Sequence, residues 1–550
     1  MIKNHRAVLR AYIGTLSIQR GRIVVRPENV EDLIVRYLGG IEFHLNNLGV
    51  AGLVTANIFV ARILFVPACI PYGGRAHALK LAKSLFHAPK TPRPERRFLR
   101  RHKGRWNGCV RRARCGLAFG RTCHNCRCMR APTTVEQTRA PFPIRLLNKC
   151  GAGLEKVGIR STPPSATEFI ETAKRRCRLE DFGPGEFLEP LSRLLESCDR
   201  EGRLNVIGKM ALRSDVVRIL CNRLLLTRDR QLYPGIAQQG IREPLFVVGL
   251  PRSGTTLLHI LLAADPAHRA PLTWEVMSPS PPSSKDRQER IRQAARNLAM
   301  LRWLAPTFES VHATGAELPQ ECVSLMSPTF MSDQFDTMYN VPTYRAWFFN
   351  QDLRSAYEFH RRSLQHLQFR QSAERWVLKA PAHMFAAPAL LSIYPDARFV
   401  QIHRDPMEAV VSVSSLVTIL RRVFSDAVDP VQIGRDALTY WSQALKTFMR
   451  ARDQLPVSRV CDLRYDDVRR DPIAAAGRVY EHFGGTLSGA VEERMRIVLA
   501  RQASQTNGVH RYDATHFKLN EINGFTEYCE RFGFSTSSSN GQEERAEAAA

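Results

Sequence analysis

Residues 244–259 read PLFVVGLPRSGTTLLH, and this stretch decides the fold. Leu245 to Leu250 is a short apolar run of the kind that forms a buried strand, and it passes through Gly249-Leu250-Pro251-Arg252-Ser253-Gly254-Thr255-Thr256 into a helix beginning near Thr255. The glycines let the backbone fold tightly around an anion. Amides at the helix start point their N–H groups at that anion, and the helix dipole adds attraction. The loop is therefore expected to hold phosphate or an isosteric group. Gly249 and Gly254 have the spacing of a nucleotide-binding P-loop, but Thr255 stands where its Lys belongs. An ATP or GTP hydrolase needs that Lys on the β and γ phosphates together with magnesium, whereas here Arg252 supplies the cation. A P-loop kinase or NTPase is thus the alternative enzyme class. The missing Lys and the lack of a metal-binding Asp after a strand argue against it.

Outward from this stretch, Trp376 to Lys379, Arg398 to His403 and Arg459 to Leu463 are further strand-like runs, each followed by a helix-compatible segment. Strands alternating with helices imply an α/β fold, three layers with a central parallel sheet covered on both faces, as in P-loop proteins. Upstream, residues 136–243 carry apolar positions at helical spacing, as in Phe187 to Leu195 and Val216 to Leu226, and read as a helical lead-in packed on a catalytic domain spanning 244–534. Residues 535–550 form a polar tail expected to be disordered.

The formal charge of +27 is unevenly spread. Residues 1–160 hold 30 Lys plus Arg against 7 Asp plus Glu, a net +23, so the remaining 390 residues carry only +4. Residues 1–135 form a basic extension with few acids, the arginine-rich run Arg93 to Arg114 and no sustained helix or strand period, and disorder is expected there. A nucleic-acid or membrane tether acting through this basic arm is the non-enzymatic alternative, with steep salt dependence as its signature. No nucleic-acid partner is expected for the nearly neutral remainder. Cys123, His124, Cys126 and Cys128 have zinc-like spacing, but a second regular ligand pair is missing, and no metal is expected. Leu48 to Ile70 is apolar, yet Asn57 and Arg62 near its middle each carry a penalty of roughly 1 to 3 kcal/mol for insertion, favouring a buried or interfacial helix over a spanning one. Seven of the 13 cysteines lie at or before Cys150, nothing beyond looks like a disulfide framework, and no secretory signal opens the chain. The expected location is cytoplasmic, with membrane association through residues 48–70 as a secondary option.

A second phosphate element follows. ARFVQIHRDPMEAVVSVSSL places Arg404 at a strand's end and Ser412 eight residues on, a guanidinium clamp plus a hydroxyl suited to a phosphate. Read alone, Arg404-Asp405-Pro406 is equally a salt-bridged helix start. With the loop at Arg252 upstream in the same chain order, the sequence resembles the nucleotide-dependent sulfotransferases, particularly the bacterial type related to the tyrosylprotein enzymes. The resemblance covers about residues 140–534 and is most specific at these two motifs. It implies that Arg252, Ser253, Gly254, Thr255 and Thr256 hold the 5′ end of 3′-phosphoadenosine 5′-phosphosulfate, and that Arg404 and Ser412 bind its 3′-phosphate. It implies transfer of a sulfonate to a hydroxyl, phenol or amine without a metal.

By the same resemblance Lys379, 25 residues before Arg404, ends the strand whose Lys stabilises the leaving oxygen, a charge that in-line transfer requires. The acceptor must also lose a proton. Glu275, 23 residues after Arg252, is close to the position of the tyrosylprotein-type base, and a carboxylate in a closed pocket can have its pKa raised toward neutrality. His383 stands four after Lys379, where cytosolic relatives place a His two after, and Glu321 is a third option. Tyr465, in Arg464-Tyr465-Asp466-Asp467, resembles the family aromatic near the adenine, and His510-Arg511-Tyr512 with Phe525 to Phe534 resembles its closing segment. Trp303, Phe308, Phe330, Tyr339, Tyr344, Trp347 and Phe348 point to an apolar or aromatic small-molecule or lipid acceptor, unless they are simply core.

Overall fold

The computed structural model describes residues 140–535, apart from 157–163, 283–285, 309–312, 372–373, 506–513 and 520–523, together with one hairpin near the N-terminus. The chain divides into two units, residues 1–126 and 127–550. In the first, Leu16–Gln19 and Arg22–Val25 pair antiparallel with Leu16 opposite Val25. Sequence periodicity gave no strand there, because two four-residue strands fall below the window in which a period of two stands out. The arginine run, residues 48–70 and the Cys123–Cys128 cluster lie outside the described residues, as do residues 536–550 of the tail. Among the described residues no helix is long and apolar enough to cross a membrane.

The second unit is built on five parallel strands: β1 (Leu245–Gly249), β2 (His268–Arg269), β3 (Arg375–Lys379), β4 (Arg398–His403) and β5 (Val460–Arg464), in the order β2-β3-β1-β4-β5. Four of these match the sequence expectation to within a residue; β2, only two residues long, carries no readable pattern. Every residue of β1 is buried, because helices cover both faces. Phe246 and Val248 enter the larger core, Leu245 and Val247 the smaller one on the opposite face. Each such side chain contributes about 1.5–3 kcal/mol on burial. After β1 the chain moves out to β2 at the edge and returns beside β1 as β3. It then crosses to the other side as β4. The C-terminal ends of β3, β1 and β4 therefore meet where the strand order reverses, which is where open parallel sheets bind ligands.

Ahead of β1 stand four helices, α1 (Phe142–Lys156), α2 (Ala166–Cys177), α3 (Leu188–Arg200) and α4 (Val206–Leu232). Asn205 caps α4, its side-chain oxygen accepting from the Gly208 amide at 2.9 Å. Gly208 itself must lack a side chain, since a Cβ there would lie 2.1 Å from the Phe424 carbonyl oxygen. Arg223, 0% exposed on α4, donates to the carbonyls of Phe182 (2.9 Å), Pro184 (2.8 Å) and Gly185 (2.9 Å) between α2 and α3, and to that of Pro328 (3.0 Å) beyond β1. Arg223→Met orphans four carbonyls at once and is expected to cost about 3–5 kcal/mol in urea unfolding. A loss below about 1 kcal/mol would show that water replaces the guanidinium there.

Candidate functional site

The loop after β1 is bent by three positive φ angles: Gly249 at +144°, Arg252 at +67° and Gly254 at +86°. Gly249 passes under β4, where a Cβ would come 2.5 Å from the Ile402 carbonyl oxygen. At Gly254 a Cβ would stand 3.3 Å from Val468 and 3.5 Å from the Tyr465 ring. Arg252 has no such licence, and its left-handed backbone costs about 1–2 kcal/mol, which the surrounding contacts offset. Ser253 behaves differently from its neighbours. Its hydroxyl donates to the Leu250 carbonyl at 2.6 Å, its amide reaches the same oxygen at 3.3 Å, and it is 0% exposed. It closes the turn from inside. Thr255 and Thr256 open α5 (Thr255–Leu262), the first buried and the second half-buried.

Across the switch point β4 runs into Arg404, and Asp405 caps α6 (Pro406–Phe424) by accepting from the amides of Met407 at 2.9 Å and Glu408 at 3.1 Å. The helix-start reading of this motif is therefore what the backbone shows. Arg404, 9% exposed, donates to the backbone carbonyl of Arg252, and its Nε and Nη2 reach one oxygen of Glu408 at 3.2 and 3.0 Å. Its guanidinium carbon lies 4.2 Å from the Tyr465 ring centre. From the other side, Arg252 Nε donates to Ser412 Oγ at 3.4 Å. Residues distant in sequence, Arg252, Gly254, Arg404, Ser412 and Tyr465, thus form one cluster. The segment after residue 525 packs against its flank: Phe532 stacks on His403 at 3.8 Å, and Tyr528 meets His403 Nδ1 at 3.1 Å. His510, Arg511 and Tyr512 lie outside the described residues.

Lys379 ends β3 level with Val247, is 2% exposed, and places its ammonium on the Glu321 carboxylate. Residues 320–322 lie along this strand end, with the Gln320 amide donating to Pro271 O at 2.8 Å and the Cys322 amide to Lys379 O at 3.0 Å. Beneath Lys379, His259 Nε2 donates to the Val377 carbonyl at 3.1 Å. Burial, and then the nearby Lys379 charge, push the pKa of His259 down to about 3.

The two other base candidates are held by other partners. Glu275, 4% exposed in the short helix Thr273–Met277, accepts from Arg269 at 2.8 Å and from the Leu272 amide at 3.0 Å, so both oxygens are engaged beside the edge strand. His383, 0% exposed, is bonded through Nδ1 to the Tyr357 hydroxyl at 2.7 Å and stands edge-on to Phe246 at 4.9 Å. Burial, then the neighbouring His360 and Lys379, hold its pKa well below the usual histidine value. Of the aromatic residues singled out in the sequence, Phe308, Phe330, Tyr339, Tyr344 and Phe348 are core, Trp347 is half-buried and Trp303 is 51% exposed. Sequence reasoning passed over Glu408, a carboxylate one helical turn from Arg404, because an isolated acid on a helix carries no motif.

Residues 244–488 match the family described as the Sulfotransferase family. The crystal structure of sulfotransferase STF1 from Mycobacterium tuberculosis H37Rv aligns at 31% identity, covering 68% of this chain and 99% of that one, with a TM-score of 0.60. Sulfotransferase STF9 from Mycobacterium avium aligns at 27% identity over 69% of this chain and 99% of its own, with a TM-score of 0.59. A curated protein of Mycobacterium tuberculosis (strain CDC 1551 / Oshkosh), omega-hydroxy-beta-dihydromenaquinone-9 sulfotransferase Stf3, is 27% identical over 262 residues, 44% of this chain. The chain spans 62% of the length of that relative.

Proposed function

The chain belongs to the sulfotransferase family, and from that premise we propose that it transfers a sulfonate from 3′-phosphoadenosine 5′-phosphosulfate to a hydroxyl, phenol or amine of a small-molecule or lipid acceptor. One observation carries the reading. Arg252 touches Ser412 while Arg404 touches the Arg252 carbonyl, so the two anion-binding elements share a wall and suit the two phosphate ends of one nucleotide. The backbone amides at the start of α5 and the Arg252 guanidinium take the donor's 5′ end, with Thr255 and Thr256 beside them. Arg404 and Ser412 take the 3′-phosphate, and Tyr465 offers its ring to the base. Gly254 keeps the backbone close to the ligand, and Ser253 holds the loop in shape.

Transfer is in-line between the donor's phosphate oxygen and the acceptor atom, and a positive charge beside the leaving oxygen lowers the barrier. Lys379 is the group assigned to that oxygen, with Glu321 holding the ammonium in place until the donor arrives. Arg252 and Lys379 supply the cationic charge in this reading without a metal. The relative named for omega-hydroxy-beta-dihydromenaquinone-9 supports an acceptor with an apolar body and a hydroxyl. Calorimetry with 3′,5′-adenosine bisphosphate, set against ATP with magnesium, tests the assignment. Binding of the bisphosphate in preference to Mg-ATP is expected; the opposite preference would return the chain to the kinase class.

A further inference from the structure

We infer that Asp333 is the group that takes the acceptor's proton, for an acceptor carrying an aromatic hydroxyl laid against Phe349, Phe385 and Tyr440; this rests on the sulfonate-transfer reading above. Glu275 has both carboxylate oxygens engaged, Glu321 is occupied by the Lys379 ammonium, and His383, whose Nε2 is also without a partner, is held well below the usual histidine pKa by burial and the neighbouring His360 and Lys379 charges, which makes it a weak base. Asp333 is not occupied in this way. Its Oδ1 is buried without a hydrogen-bond partner, and its Oδ2 receives a long bond from the Tyr440 hydroxyl at 3.5 Å. An unbonded buried carboxylate oxygen costs about 1–3 kcal/mol or more, and a native structure that keeps one calls for a use.

The surroundings supply the use. Asp333 follows Ser332, whose hydroxyl donates to the Val323 carbonyl at 2.8 Å, so it is pinned to the segment that continues from Glu321 and Cys322 over the end of β3. Phe385, six residues beyond Lys379, stands 5.6 Å from the Tyr440 ring and 5.0 Å from Phe349, while Phe349 and Tyr440 stack at 4.9 Å with planes 4° apart. All three rings are only half-buried. This is an apolar platform with a carboxylate at its edge, suited to a planar aromatic alcohol.

Burial, the Glu321 charge and the Asp336 charge together push the Asp333 carboxyl up to about 7. Glu321 faces it from the strand-end segment and Asp336 from its own helix. Asp336 is in turn paired with Arg345 and Arg421. The phenols of Tyr344, Tyr357 and Tyr440 complete the ring of titratable neighbours, each electrostatically coupled to Asp333. A base of this strength suits work near neutral pH. In the step, the acceptor's O–H proton moves to the Asp333 carboxylate as the new O–S bond forms. The bond from sulfur to the donor's phosphate oxygen breaks, and that oxygen keeps the electron pair.

The test uses the full chain with 3′-phosphoadenosine 5′-phosphosulfate as donor and 2-naphthol as acceptor probe, with kcat/KM followed from about pH 5 to about pH 9. Asp333→Asn is expected to lower kcat/KM by about 100- to 10,000-fold and to abolish the acid limb. Affinity for 3′,5′-adenosine bisphosphate stays within about twofold, the sites being separate. Tyr440→Phe removes the hydroxyl that favours the carboxylate and moves the limb to higher pH. Folding is a separate readout. The unfolded chain releases this proton near 3.8 and the folded chain near 7, so this group's contribution to stability falls as pH rises through that window, and Asn removes the fall. A stable Asp333→Asn protein that keeps its rate or its acid limb overturns the inference. So does a wild type that binds the bisphosphate yet transfers nothing to 2-naphthol. A wild type that fails to bind the bisphosphate overturns the underlying reading instead.

Discussion

Arg404→Ala is expected to weaken binding of 3′,5′-adenosine bisphosphate by about 30- to 1,000-fold, the fold-change that corresponds to losing about 2–4 kcal/mol from a buried charged contact. The size follows from position. Arg404 is 9% exposed, held from one side by Glu408 and from another by the Arg252 carbonyl, so its guanidinium meets a phosphate already oriented and partly dehydrated. Losing it also takes the guanidinium away from Glu408, a negative charge close to the phosphate site. Calorimetry at fixed ionic strength measures the effect, and the salt dependence of binding should become shallower with the loss of one cation. A change below about threefold would mean that Arg404 is only the helix-start residue that its Asp405-Pro406 context allows.

Lys379→Met should act on rate rather than affinity. A charge that meets the leaving oxygen only as negative charge develops there contributes to kcat, and removing one such group costs about 100- to 1,000-fold. The bisphosphate should bind the variant nearly as well as it binds the wild type. Lys379 is 2% exposed and paired with Glu321, so the single change also takes the ammonium away from a half-buried carboxylate and destabilises the fold. The double variant Lys379→Met/Glu321→Gln removes both charges and should recover thermal stability without recovering rate. Single-turnover rates and thermal melts on the two variants separate the effects. A double variant with restored activity would remove Lys379 from the chemistry.

The strong elements were legible because sequence and topology agree on them. An apolar run into a glycine turn forms a strand and a loop wherever it is buried, and Leu245 to Gly254 folds as its letters say. Motif order set the Arg252 turn and the Arg404–Ser412 element as two anion pockets for one nucleotide, whereas the direct contact of Arg252 with Ser412, 160 residues away, is a matter of packing. What was hidden is what only packing decides. Ser253 reads as a ligand-binding hydroxyl, yet the turn consumes it internally. Glu275 reads as a free base, but its capping of the Thr273–Met277 helix and its pairing with Arg269 depend on an edge strand of two residues that no pattern announces. His383 sits in a Lys-Ala-Pro-Ala-His run that looks like a strand-end loop, and only the short 3-10 turn at Pro381–Met384 shows it folded back into the core. Asp333 is the converse case: an ordinary acid in sequence, made unusual by what folds around it.

The most direct measurement is a crystal structure of the protein with 3′,5′-adenosine bisphosphate bound. The account predicts the 3′-phosphate between Arg404 and Ser412, the 5′-phosphate against the amides of residues 252–256, and Arg252 drawn off Ser412 toward the ligand. A nucleotide seated elsewhere, with Arg252 still resting on Ser412, would contradict it.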